Sequence, residues 1–182
     1  MFDLDGHEIG VAGCAVGAPF AVLVSEEMFA AGYRLLISVT CSGQITPQGA
    51  PPYFILIDRA WRDEGTSCHY SPPSDWSAAP ASLPDRLTGT FDTGSQALTG
   101  ATWTTDAPFR ETESATAAAL AGGILAVEME AACQRRSEIR PQGGAKTGHF
   151  GFGRNARHEA ATSQPRLPNS WRLTGRLGPS GP

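Results

Sequence analysis

Two glutamates one residue apart, Glu128 and Glu130, follow the apolar run ILAV at 124–127 and precede the small residues Ala131 and Ala132. If the backbone is still extended there, side chains at i and i+2 point to the same side. An ionised carboxylate only accepts hydrogen bonds, and it can take one from each of two neighbouring hydroxyls. A vicinal diol, such as the 2′,3′-diol of a ribose, presents that pair. The same Glu-x-Glu also suits the first turn of a helix, where acids complement the helix dipole. The apolar strand before it, the small residues after it and the Thr104-Thr105-Asp106 turn upstream favour the diol reading.

Elements on either side must position these groups. Residues 7–12 read as a strand, followed by the Gly-rich turn GCAVG at 13–17. Pro19 suits the first position of a helix. Phe20, Leu23, Val24, Met28 and Ala31 fall on one helical face, with Gly32 as the stop. Glu27 lies close to that face and reads as a partnered structural acid, with a ligand role as the alternative. Residues 34–39 (RLLISV) read as a buried strand, with a polar turn at 40–44 and a further strand, YFILI, at 53–57. Residues 59–70 read as an ordered loop or strand edge, 71–84 as loop, and a short helix is expected near Asp85. Residues 101–103 and 124–127 read as strands, and 113–121 as a helix stopped by Gly122-Gly123. Strands alternating with helices argue an α/β domain with a central mixed sheet. Ligands of such sheets sit at the carboxyl ends of strands. Polar turns fall there at 13–18, 40–44, 104–110 and 128–130.

The bulk numbers fit one globular domain. The chain has 182 residues, 41% of them hydrophobic and 18% charged. No apolar run reaches the ~18 residues of a membrane span, and the N-terminus lacks the basic region of a signal peptide. Cys14, Cys41, Cys68 and Cys133 are widely spaced, so reduced thiols in a cytoplasm are expected. The four histidines form no ligand pattern with them, which argues against zinc. The net charge of −4 divides into −10 over residues 1–138 and +6 over 139–182. The second segment holds eight Gly, five Pro and no apolar periodicity. It reads as a basic, disordered tail, because it buries too little surface to offset its ordering entropy. Its arginines are scattered and match no motif, so nucleic acid is not the expected partner.

Several segments, taken in order, resemble the nucleoside phosphorylase and nucleosidase superfamily, which includes purine and uridine phosphorylases. GCAVGAPFAVLVSEEMFAAG looks like the family's Gly-rich turn and following helix, and LLISVTCSGQI like its phosphate-and-sugar strand and loop. RDEGTSCHY and TTDAPFRE resemble two further family segments, and VEMEAA is the nearest match. The resemblance covers roughly residues 7–132. It implies a three-layer α/β/α sandwich around a mixed sheet, incomplete here. It divides the chain into a partial phosphorylase-like domain, 1–138, truncated at its N-terminus, and an unrelated tail, 139–182.

By the same resemblance Glu130 accepts the ribose hydroxyls, Met129 packs on the sugar and Glu128 sits beside it. Cys41, Ser42 and Gly43 form the phosphate-and-sugar loop, and Thr105 and Phe109 flank the base. The implied reaction is cleavage of an N-glycosidic bond with phosphate as co-substrate and no metal or organic cofactor. The implied partners are a nucleoside, phosphate and further copies of the chain. Two departures open alternatives. Ser38 stands where the family's phosphorylases carry an Arg, which favours water as acceptor, as in a nucleosidase. Nothing after the EMEAACQRRSEI helix matches the family's later catalytic or base-contacting acid, which favours an inactive remnant that binds a nucleoside or a partner subunit.

Overall fold

The structure, a computed structural model, describes residues 1–33, 35–50, 53–79, 97–134 and 146–153, the last as backbone alone. The chain opens with a hairpin of β1 (Phe2–Leu4) and β2 (His7–Ile9). Its two-residue turn places Asp5 and Gly6 at φ 51° and 78°, the Asp-Gly geometry that matches strand twist. Helix α1 (Ala18–Ala30) follows, then β3 (Leu35–Gln44) and β4 (Tyr53–Asp63). The short α2 (Ser67–Tyr70) and β5 (Trp76–Ala78) lead to β6 (Ala97–Thr105). A 3-10 turn at Pro108–Arg110 precedes α3 (Glu113–Ala121), β7 (Ile124–Glu128), α4 (Ala131–Gln134) and β8 (Lys146–Gly153).

The strands form one mixed sheet in the order β5-β4-β6-β7-β3-β8. β4, β6 and β7 run parallel to one another, β5 is antiparallel to β4, and β3 is antiparallel to β7. β8 pairs with β3 on one side and with β4 on the other, so the sheet curls back on itself. The α/β character and mixed sheet expected from the alternation of elements are what the chain forms. Consecutive residues of β7 face opposite sides. Ala126 joins a cluster with Tyr53, Ile55, Ile57, Ala131 and Ala132, under α4. Val127 joins Ala101, Trp103, Ala119 and Ile124, under α3.

Helix α3 forms where its sequence demands. The Thr112 side chain accepts the Ala115 amide as N-cap at 3.2 Å, and Gly123, at φ 71°, turns the chain out of the helix. Elsewhere the structure corrects the reading. The strand expected over 7–12 ends at Ile9 and pairs only within the hairpin. The strand at 34–39 and the polar turn at 40–44 are one continuous β3, because residues 43–44 still pair with β7. Its alternation leaves Leu35, Ile37 and Val39 exposed rather than buried. α1 buries Ala18, Ala21, Val22, Ser25 and Phe29, whereas Phe20 and Leu23 are exposed. Small residues on that face allow close approach to α4. Glu27 is exposed. Residues 59–63 extend β4, and the expected loop at 71–84 contains β5. The helix near Asp85 lies outside the described residues. Of the segment 139–182, only 146–153 are described, and their backbone pairs as a strand. No helix among the described residues is long and apolar enough to cross a membrane.

Burial separates two isoleucines of identical chemistry: Ile124 is 2% exposed and Ile37 is 56% exposed. Ile124→Val should cost about 0.5–1.5 kcal/mol. Ile37→Val should fall within about 0.5 kcal/mol of zero. Urea unfolding of both variants checks this, and equal losses would contradict the assigned register of β3 and β7.

Candidate functional site at the end of strand β7

Glu128 is the last residue of β7 and is almost fully buried. Its Oε2 accepts the backbone amides of Glu130 at 2.7 Å and Ala131 at 2.6 Å. These are N–H groups at the start of α4, which has no earlier carbonyls to offer them. Its Oε1 accepts the Thr104 hydroxyl from β6, and Thr104 Oγ1 in turn accepts the Ala132 amide at 3.1 Å. Glu128 therefore joins the ends of two parallel strands to the helix that follows.

Glu130 turns to other partners. Its Oε1 accepts the Gly17 amide at 2.8 Å, and its Oε2 accepts the Thr40 hydroxyl at 3.1 Å. The Met129 amide lies at 3.3 Å from Oε2. Gly17 precedes α1 with φ 86° and ψ 149°, a conformation open to glycine and strained for other residues. Three of the polar segments expected at strand ends, 13–18, 40–44 and 104–110, thus meet the fourth, 128–130, through Gly17, Thr40 and Thr104.

Other residues of this neighbourhood fall differently. Met129 is half-buried. Within 41–43, Cys41 is exposed, Ser42 is buried and Gly43 pairs with Val127. The β3 residue that reaches Glu130 is Thr40, to which the sequence reading assigned no role. Strand parity held the signal, since Thr40 shares its side of β3 with Leu36 and Ser38, while Cys41 shares the other with Ile37 and Val39. Thr105 is buried, and its hydroxyl accepts the Ala107 amide at 3.2 Å. Phe109, on the 3-10 turn, is 99% exposed. The thiol of Cys133 is buried and donates to the Glu130 carbonyl at 2.9 Å, and burial pushes its pKa well up.

The RDEGTSCHY segment builds scaffold. Arg62 Nε donates to Ser67 Oγ at 2.7 Å, and its Nη1 donates to the Pro72 and Ser74 carbonyls at 2.8 and 3.0 Å. Asp106 accepts the Gly65 amide at 3.1 Å, and Asp63 accepts the Trp103 indole N–H at 3.0 Å. These contacts tie the end of β4 to the turn after β6. A shallow cleft of about 290 Å³ lies between Arg62, Ser71, Ser74 and Trp76, and none of residues 128–130 lines it. Chemistry, not cavity size, singles out the end of β7. It gathers two buried carboxylates, hydroxyls from two strands and a glycine amide.

Comparison with known proteins bears on the family and the fold. The Phosphorylase superfamily model matches residues 1–134. No curated protein matches the chain significantly. Among solved structures, the fold resembles uridine phosphorylase from Vibrio fischeri ES114, with a TM-score of 0.67 and 20% identity, over 76% of this chain and 58% of that one. A second structure of that enzyme, complexed with 6-hydroxy-1-naphthoic acid, gives a TM-score of 0.68 at 20% identity, over 80% and 60%. AMP nucleosidase from Bacteroides thetaiotaomicron VPI-5482 gives 0.65 at 20% identity, over 77% and 61%. The chain thus spans less than two thirds of the length of each of these relatives.

Burial raises the Glu128 carboxyl to about 7; the hydrogen bonds from Thr104, Glu130 and Ala131 oppose the shift, and the charge of Glu130 adds to it. The folded state then binds more protons than the unfolded state between about pH 4.5 and 7. This contribution to stability is complete below pH 4.5 and is lost as pH rises through 7. Its size is on the order of 3 kcal/mol. The chain should resist urea better at pH 5 than at pH 7.5, and Glu128→Gln should shrink that difference. An equal pH dependence in the two proteins would refute the assignment.

Proposed function

The chain belongs to the phosphorylase superfamily, and from that membership we propose that it cleaves the N-glycosidic bond of a purine or pyrimidine nucleoside with phosphate as acceptor. The observation that carries the reading is Glu130: a buried carboxylate at the end of a sheet strand, flanked by a glycine amide and a threonine hydroxyl. In this reading Glu130 accepts hydrogen bonds from the ribose 2′- and 3′-hydroxyls, and Met129 packs on the sugar. Glu128 shapes the site by capping α4. The exposed ring of Phe109 offers a face to a planar base. Cys41, Ser42 and Gly43 lie on the phosphate side.

The bond from C1′ to the base nitrogen breaks through an oxocarbenium-like sugar. A phosphate oxygen forms the new bond to C1′, and the base leaves with the electron pair and takes up a proton. No metal or organic cofactor is invoked. Further copies of the chain complete the site in this reading, and the exposed Phe109 is one group they would cover. Three exposed thiols support a reducing compartment such as the cytoplasm.

Water as acceptor is the second reading. Ser38, half-buried on β3, supplies no charge for phosphate at the position where the family's phosphorylases carry Arg.

Release of free base from inosine, adenosine, uridine and AMP, with and without phosphate, decides between them. Phosphate-dependent release is expected, and Glu130→Gln should lower kcat/KM about 100-fold with the fold retained. Release that ignores phosphate would establish the hydrolytic reading. Folded protein that releases no base under either condition would sink the enzymatic proposal and leave a chain that binds without turnover.

A further inference from the structure

Two donors from separate elements hold the Glu130 carboxylate. The Gly17 amide meets Oε1 at 2.8 Å and the Thr40 hydroxyl meets Oε2 at 3.1 Å. Because they approach different oxygens, together they fix the position and the plane of the group. The third donor, the Met129 amide, is longer at 3.3 Å and shares Oε2 with Thr40. A carboxylate offers about four lone-pair sites, so among the described residues one acceptor direction, on Oε1, is left without a donor. The Thr40 hydroxyl has a second acceptor in the Cys41 carbonyl, but at 3.4 Å the shorter contact to Glu130 wins.

From these contacts we infer that Thr40 is a positioning residue for sugar recognition. Its hydroxyl orients Glu130 so that the open direction on Oε1 and the weakly held Met129 direction on Oε2 face the two hydroxyls of a vicinal diol. The inference rests on the ribose reading of Glu130. A diol then donates one hydrogen bond to each oxygen. It displaces the long Met129 contact and leaves those of Thr40 and Gly17 in place. Without the Thr40 hydroxyl, Oε2 keeps only the long Met129 contact that the diol displaces, so Glu130 must be ordered by the sugar itself, which weakens binding.

Thr40→Val tests this, because valine keeps the shape and strand preference of threonine and removes only the hydroxyl. Thr40→Ser restores it. Carbon-13 relaxation of the Glu130 side-chain methylenes reports the positioning without any ligand. Calorimetric titration with inosine and with uridine reports recognition. In Thr40→Val the methylenes should become more mobile and nucleoside affinity should fall about 10-fold; Thr40→Ser should recover both. Unchanged methylene order in Thr40→Val overturns the inference whatever the affinities. Mobilised methylenes with undiminished affinity overturn the role in recognition. Wild-type protein that binds neither nucleoside, with Glu130 mobilised only in Thr40→Val, overturns the ribose reading and supports Thr40 as the group that positions Glu130.

Discussion

A carboxylate inside a protein must be given hydrogen-bond donors, and two adjacent carboxylates must be given separate sets. Glu128 and Glu130 impose that demand at the end of β7. Glu128 draws on the first amides of α4 and on a hydroxyl from β6. Glu130 draws on the turn before α1 and on β3. The elements that meet here come from positions 17, 40, 104 and 128–132, so a local electrostatic need sets much of the tertiary arrangement. A buried carboxylate held by several polar donors resists collapse onto apolar neighbours.

The two glutamates also show how one short motif divides its labour. In sequence they are alike, and an extended backbone would give them a common direction. The chain bends after Glu128, so the first acid joins β6 to α4 and the second faces the turn before α1 and strand β3. The helix-start reading of Glu-x-Glu describes Glu128, whose carboxylate accepts the first amides of α4. A buried helix start differs from a solvated one in one respect: burial moves the acid's titration into the neutral range.

Elements with strong local signals were legible. Helix α3 has a threonine cap and a double-glycine stop, and β7 is a short apolar run between glycine and acid. The extent of β3 was not, because Thr40, Cys41 and Ser42 have turn-like composition, and only pairing with β7 and β8 keeps them extended. The buried face of α1 was misread for a related reason. Large apolar residues mark a core-facing stripe only if the partner surface leaves room for them. Here α4 packs so closely that Ala18, Ala21 and Ser25 take the inner positions. The value of Thr40 was hidden by the same error in β3, since a residue in a turn has no defined parity. The RDEGTSCHY segment was legible as a motif, but its work proved to be backbone bracing by Arg62, a role that residue type alone does not reveal.

Cys133 carries a consequence for how motion at this site can be watched. Its thiol sits between α1 and α4, 1% exposed, donating to the carbonyl of Glu130, and burial keeps it protonated. Thiolate is the form that alkylating reagents attack. Cys14, Cys41 and Cys68 are exposed and open to reagent in the folded protein. Cys133 reacts only when the α1–α4 contact separates. The slow phase of thiol labelling is therefore a clock for that separation, built into the native sequence beside the carboxylate whose environment it reports.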